Sequence, residues 1–202
     1  MIAIIDYGMG NIHSVNKALQ ISGAKTIITN KPKDIAQASK AVLPGVGAFD
    51  DAIAELKKQG LIETINEFVK NKKPFLGICL GMQLLFEASQ EAKEAAGLGL
   101  LKGKVVRFKT EGSLKVPHMG WNQLKLKTKC PLFKDIPDGA FVYFCHSYYP
   151  DPEDEGVVAS KTDYGRDFVS SVWQDNLYGV QFHPEKSQSI GLKMMKNFVE
   201  LC

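Results

Sequence analysis

The chain has 202 residues, 45% of them hydrophobic and 23% charged, a composition that suits one globular domain with a full core and excludes a disordered or low-complexity chain. Its 25 basic and 22 acidic residues leave a net charge of +3, too balanced to argue for nucleic acid on charge alone. No stretch approaches the roughly 18 apolar residues of a membrane span, the N-terminus starts on a strand without a basic leader, and the cysteines at 79, 130, 145 and 202 have neither paired nor metal-ligand spacing, so a reducing cytoplasm with an available thiol is expected.

Ile2-Ala3-Ile4-Ile5 is a continuous apolar run, as in a strand covered on both faces. Asn11 is placed to cap a helix whose apolar stripe is Ile12, Val15 and Leu19. Thr26 to Thr29 and Ala41 to Leu43 predict two more strands, the second running into Pro44-Gly45-Val46-Gly47. Helices follow at Phe49, Ile53 and Leu56 and at Leu61, Ile65 and Phe68. Phe75 to Ile78 predicts a fourth strand, and Met82-Gln83-Leu84-Leu85-Phe86 continues it as a helical pattern. This alternation implies a mostly parallel sheet with helices on both faces.

After about residue 100 the pattern changes. Lys104 to Phe108, Asn122 to Lys127, Phe141 to Phe144, Val157 to Ser160, Phe168 to Trp173 and Leu177 to Phe182 predict strands, with Gly139, Pro150-Asp151 and Asp175-Asn176 as turns. A closing helix carries Leu192, Met195 and Val199. The expected fold class is therefore α/β, a central mostly parallel sheet flanked by helices, with an antiparallel or mixed C-terminal extension, in a single domain over residues 1–202. Nine Lys/Arg against the single acid Glu111 between Lys102 and Lys134 make either a solvated basic edge or a docking face for an acidic partner. The acidic run Asp151 to Glu155 is expected to be a solvated loop.

Ligands of open α/β sheets bind beyond the carboxyl ends of the strands. Three glycine-bearing loops lie there: Tyr7 to Asn11, Pro44 to Phe49 and Gly77 to Gly81. In the last, Gly77-Ile78-Cys79-Leu80-Gly81 has the form of a nucleophile elbow, a strand turning sharply into a helix with the nucleophile at the turn. The helix N-terminus there favours a thiolate. Such a cysteine needs a base and a group to orient the base. His183 ends an apolar strand and is followed by Pro184 and Glu185, which can reach the same side of an extended segment. A His-Pro-Glu triplet alone is an ordinary loop; its weight comes from the elbow and from Pro44-Gly45-Val46-Gly47. The N–H of Leu80 and a peptide of the Gly45 to Gly47 loop are the candidate oxyanion donors. Cys145 and His146 point to opposite faces of a strand and cannot pair with each other; Cys145 and Trp173 are expected in the core, and His146 at the substrate pocket.

Leu43-Pro44-Gly45-Val46-Gly47, Gly77-Ile78-Cys79-Leu80-Gly81-Met82-Gln83 and Gln181-Phe182-His183-Pro184-Glu185 stand in the order of the signatures of the class I (triad) glutamine amidotransferases, and the chain resembles that family from end to end. Asp6-Tyr7-Gly8-Met9-Gly10-Asn11, Pro117-His118-Met119-Gly120-Trp121-Asn122, His146-Ser147-Tyr148 and Glu185-Lys186-Ser187 are similar to the glutaminase subunits of imidazole glycerol phosphate synthases. The resemblance implies a flavodoxin-like core. It implies a catalytic set of Cys79, His183 and Glu185, an oxyanion hole at Val46, Gly47 and Leu80, and glutamine held by Gly47, Gln83, Ser147 and Tyr148. It implies a (β/α)₈-barrel cyclase partner, met at Asn11, Met119, Trp121 and Lys186, that receives the ammonia for histidine biosynthesis in a heterodimer. It also implies an oxyanion loop that is misaligned until the partner holds its own ligand, with the Val46 peptide rotating to complete the hole. No metal, cofactor, nucleic acid or membrane is expected. Other assignments stay open: a paralogous subunit feeding ammonia to another acceptor, such as a sugar amidation pathway; a non-catalytic interaction subunit, against which the intact Cys79, His183 and Glu185 argue; and a cysteine peptidase, against which the His-Pro-Glu triplet and Gln83 argue.

Overall fold

Successive residues of the first strand enter opposite apolar cores. In the computed structural model, which describes residues 1–109 and 114–202, β1 (Ile2–Ile5) sends Ala3 and Ile5 into one cluster and Ile2 and Ile4 into the other. Glu111, the lone acid of the basic stretch, lies outside the described residues.

The chain continues through α1 (Ile12–Ile21), β2 (Thr26–Thr29), α2 (Pro32–Gln37), β3 (Lys40–Gly45), α3 (Phe49–Lys58), α4 (Leu61–Lys70) and β4 (Phe75–Cys79). A single-turn helix α5 (Leu80–Gln83) follows at once, then β5 (Phe86–Ser89), β6 (Leu101–Arg107), β7 (His118–Gln123), β8 (Lys125–Leu126), β9 (Phe141–His146) and β10 (Tyr148–Pro152). β11 (Val158–Asp163), β12 (Asp167–Gln174), β13 (Leu177–Val180) and α6 (Gln188–Leu201) complete it. The main sheet runs β2-β1-β3-β4-β13-β12-β11-β8. Its pairs from β2 to β13 are parallel and the rest antiparallel, which is the mostly parallel sheet with an antiparallel extension that the sequence pattern predicts.

Packing rather than capping holds the helices. Neither α3 nor α4 has a side-chain cap. They bury Phe49, Leu56, Ile65 and Phe68 against Leu43 and Phe75 instead, at about 1.5–3 kcal/mol for each large side chain removed from water. On the opposite face α1 and α6 bury Val15, Leu19, Met195 and Phe198 with Val42 and Ile78. Two small sheets, β10-β6-β5 and β7-β9, complete the C-terminal half.

Four local expectations need correction. The run Met82 to Phe86 is not one helix: α5 ends at Gln83 and Phe86 opens β5. Leu80 to Phe86 is buried throughout, and a run apolar but for Gln83 carries no periodicity to tell helix from strand. Asn11 precedes α1 at φ −86°, ψ 58° and makes no side-chain cap bond, because this is not the extended geometry that aims a cap at the first turn. The strand placed at Asn122–Lys127 starts earlier, as β7, since Met119 and Trp121 face solvent and invert the usual alternation. Pro150 and Asp151 are not a turn: they lie in β10, an edge strand, where a missing N–H is tolerated. Part of the acidic run is thus strand, and Glu155 is paired with Lys161 at 2.9 Å. Trp173 is half-buried against the core, its indole N–H donating to Asp175 O at 2.8 Å. No helix among the described residues is long and apolar enough to cross a membrane.

Candidate active site

The parallel register of β3, β4 and β13 gathers three loop starts at one end of the sheet. Gly45 pairs with Cys79, and Val180 with Ile78, so the segments that follow meet around the Cys79 thiol. Cys79 sits at φ 54°, ψ −111°, a conformation rarely adopted by a residue with a side chain and held here by its surroundings. Packing behind the elbow demands glycine. A Cβ on Gly77 would stand 2.6 Å from Gly81 O, and one on Gly81 would overlap Leu43 O. The helix after the elbow is one turn long, so its contribution is the first-turn N–H of Leu80 rather than an extended macrodipole.

His183 and Glu185 are fixed from both sides. The His183 N–H donates to Tyr143 O at 2.9 Å, and its carbonyl accepts from Ser187 Oγ at 2.7 Å. Pro184 starts a short 3-10 turn that folds Glu185 back, placing Oε1 2.9 Å from His183 Nδ1. The two side chains are 5% and 1% exposed. Burial alone would lower the His183 pKa; interaction with Cys79 and with Glu185 outweighs it and holds the imidazole at about 10. The imidazolium is therefore the form these neighbours favour.

Cys79 and His183 open into a cavity of about 310 Å³. Val46, Gly47, Cys79, Leu80, Gln83, Ser147, Tyr148, His183 and Lys186 all line it. Val46 is 44% exposed, and Gly47 holds φ +100°, a left-handed conformation that suits glycine. Gln83 Nε2 donates to Tyr148 O at 2.9 Å and to Gln181 Oε1 at 3.0 Å. Both hydrogens are committed inward, which leaves Gln83 Oε1 for a bound molecule. Gln181 Nε2 lies 3.6 Å from the Cys79 sulfur, and the thiol faces Cys145 O at 3.9 Å.

Cys145, expected in the core, is half-buried and lines this cavity, because β9 ends at its rim. His146 is buried and also lines it, as expected. Lys186 and Trp121 both approach Tyr143, with the Lys186 ammonium 5.8 Å from the ring centre and the indole edge-on at 6.0 Å. Met119 is 61% exposed on the same strand as Trp121, and Asn11 lies at the start of α1, which packs against the turn bearing Lys186.

Sequence reasoning missed Glu91. It lines the cavity from the segment after β5, and its Oε2 accepts from Phe49 N–H at 3.0 Å, next to the Gly47 loop. Burial, with the nearby Asp50 and Asp51, pushes its pKa up despite that hydrogen bond. Nothing in the polar stretch around it marks Glu91 among its acidic neighbours; only the fold of the segment brings it to the cavity.

The family model of glutamine amidotransferase class-I matches residues 3–202. The chain is 52% identical to the imidazole glycerol phosphate synthase subunit HisH of Moorella thermoacetica, covering 99% of this chain and 94% of that one. It is 50% identical to the subunit of the same name from Syntrophotalea carbinolica, over the whole of both chains. Among solved structures, a glutamine amidotransferase superposes with a TM-score of 0.78 at 18% identity, covering 98% of this chain and 97% of that one. PurLQS from Thermotoga maritima gives 0.75 at 19% identity, covering 98% and 96%. These last two likenesses concern the fold.

Proposed function

The chain belongs to the class-I glutamine amidotransferase family, and we propose that it is the glutamine-hydrolysing subunit of an imidazole glycerol phosphate synthase, supplying ammonia for histidine biosynthesis. The observation that carries this proposal is a thiol and an imidazole lining one cavity, with the Glu185 carboxylate held 2.9 Å from the far side of that imidazole.

Cys79 Sγ attacks the side-chain carbonyl carbon of glutamine. The negative charge that develops on the carbonyl oxygen is met by the Leu80 N–H and by a peptide of the Val46–Gly47 segment. His183 carries the thiol proton to the amide nitrogen, the C–N bond breaks, and ammonia leaves with the glutamyl group held as a thioester. Water then attacks that thioester, giving a proton to His183, and glutamate leaves with the thiol restored. Glu185 orients His183 and stabilises its charged form. Gln83, Ser147 and Tyr148 hold the substrate, and Glu91 supplies the negative charge that suits the substrate's α-ammonium group.

The ammonia passes to a (β/α)₈-barrel cyclase subunit, docked over Asn11, Met119, Trp121 and Lys186. Exposed Met119 and Trp121 support this, since a large apolar pair on a solvent face marks a contact surface. The test is ammonia and glutamate release by the wild type and by Cys79→Ala, each with and without the cyclase subunit of the same organism. Partner-stimulated release that vanishes in Cys79→Ala is expected. A wild type that releases none with any partner or partner ligand overturns the proposal.

A further inference from the structure

Two histidines outside the thiol–imidazole–carboxylate set are buried beside it, and their hydrogen bonds run in one direction. The Tyr148 carbonyl can only accept, so His146 Nδ1, at 2.8 Å, must carry a hydrogen. The neutral ring then presents Nε2 as an acceptor, and His118 Nδ1 donates to it at 3.1 Å. His118 Nε2 in turn accepts from Asn122 Nδ2 at 3.3 Å. Asn122 cannot reverse, because its Nδ2 also donates to Asp163 O at 2.7 Å and its Oδ1 accepts from Gln123 N–H at 2.8 Å.

The chain of bonds does not stop at Tyr148. Its carbonyl spends its second lone pair on Gln83 Nε2, Gln83 spends its second hydrogen on Gln181 Oε1, and Gln181 Nε2 approaches Cys79 Sγ at 3.6 Å. Each amide and each ring therefore has one permitted orientation from Asn122 to the nucleophile. Phe108, Phe144 and Phe168 pack around both imidazoles with ring centres 4.8–6.2 Å away, and both rings are buried. β7 carries His118 and Asn122 on one face and Met119 and Trp121 on the other.

We propose that His118 and His146 are positioning residues, a neutral relay that fixes the Tyr148 carbonyl and, through Gln83 and Gln181, the substrate amide pocket and the direction of the Cys79 thiol. This rests on Cys79 being the nucleophile of glutamine hydrolysis.

The test uses the full chain with its cyclase subunit and two measurements: the kinetics of glutamine hydrolysis, and alkylation of Cys79 by iodoacetamide, which needs no glutamine. His146→Phe keeps a ring of similar shape and removes both nitrogens. It should raise KM for glutamine about tenfold, the scale of one lost buried hydrogen bond, with a smaller fall in kcat, and slow alkylation. His146→Asn keeps a donor near the Nδ1 position and should recover most of both. Asn122→Ala, at the half-exposed outer end, should move both measurements the same way by roughly two- to threefold. The relay is overturned if His146→Phe leaves KM and alkylation at wild-type values, or if His146→Asn is no better than a folded His146→Phe. Should His146→Phe not fold, unchanged KM and alkylation in Asn122→Ala overturn it. A wild type that alkylates normally but releases no ammonia counts against the glutaminase function, and the alkylation rates of the variants still decide the relay.

Discussion

His183 Nδ1 and Glu185 Oε1 are 2.9 Å apart, and the two side chains are almost wholly removed from solvent. At that burial an unpaired carboxylate would be costly, so each group depends on the charge or dipole of the other. Glu185→Gln keeps the shape and removes the charge that stabilises an imidazolium. It is expected to lower kcat for glutamine hydrolysis by about 10²–10⁴, with KM changed much less. Steady-state ammonia release measures this; a kcat within a few-fold of wild type would remove Glu185 from the mechanism.

Glu91 offers a second separation of roles. Its carboxylate lines the cavity, and Phe49 N–H pins one oxygen. Glu91→Gln preserves an acceptor for Phe49 and abolishes the charge. KM for glutamine should rise about tenfold, the scale of a charge-assisted bond, with kcat little altered. The raised pKa of Glu91 adds a sign: its charged form is lost earlier than an ordinary carboxylate's as pH falls. KM should therefore climb on acidification in the wild type and not in Glu91→Gln. Parallel pH profiles for the two would show that Glu91 does not touch the substrate.

The elbow makes a stability prediction independent of activity. A methyl on Gly81 meets the Leu43 backbone oxygen, which cannot swing away as a side chain can. Gly81→Ala should lose more than about 3 kcal/mol. Gly8, unlike Gly81, has a positive φ, of 91°, and open space around its missing Cβ. Gly8→Ala should cost only the left-handed conformation, about 1–2 kcal/mol. Urea midpoints of the two variants compare them directly, and equal losses would mean that the Leu43 backbone yields to the added methyl at little cost.

Much of this site is legible in the sequence because strand ends and glycine spacings encode it. Cys79, His183 and the Gly45–Gly47 segment all follow apolar strands that pair in parallel, so placing the strands places the loops. Glu91 was hidden because a polar segment has no period, and its approach to the cavity depends on β5 pairing with β6 after the unmarked break at Leu84 and Leu85. The His118–His146 pair was hidden for a different reason. Met119 and Trp121 put the large apolar groups of β7 outside, so the strand was placed several residues late and its pairing with β9 could not be seen. In both cases the missing information is a contact between distant segments, which local pattern does not carry.

That pair also lowers stability on the acid side. Burial drives the His118 pKa down to about 4, and burial together with neighbouring His118 and His183 drives His146 to about 3. The geometry agrees, since a proton added to either ring would face a donor already in place. In the unfolded chain both imidazoles take up protons as pH falls through about 6.5. Between there and pH 4 the unfolded state binds more protons than the folded one, so stability is complete above about 6.5 and falls as pH drops. His183 has the opposite sign: its raised pKa adds stability that is full below about 6.5 and is lost as pH rises through about 10, so it does not mask the acid slope. The raised Glu91 carboxyl, which takes up its proton earlier in the folded state, offsets only part of that slope, one group against two. The depressed carboxylate of Asp50, held by backbone N–H groups of Lys93, Ala95 and Glu94, loses its contribution only below the ordinary Asp range near 3.9. Urea unfolding of the full chain from pH 7 to pH 5 should therefore show stability falling with acidification, and His146→Asn should remove roughly one proton from that dependence. An unchanged dependence in His146→Asn would mean that His146 is already protonated inside the folded protein, contrary to the one-way order of its hydrogen bonds.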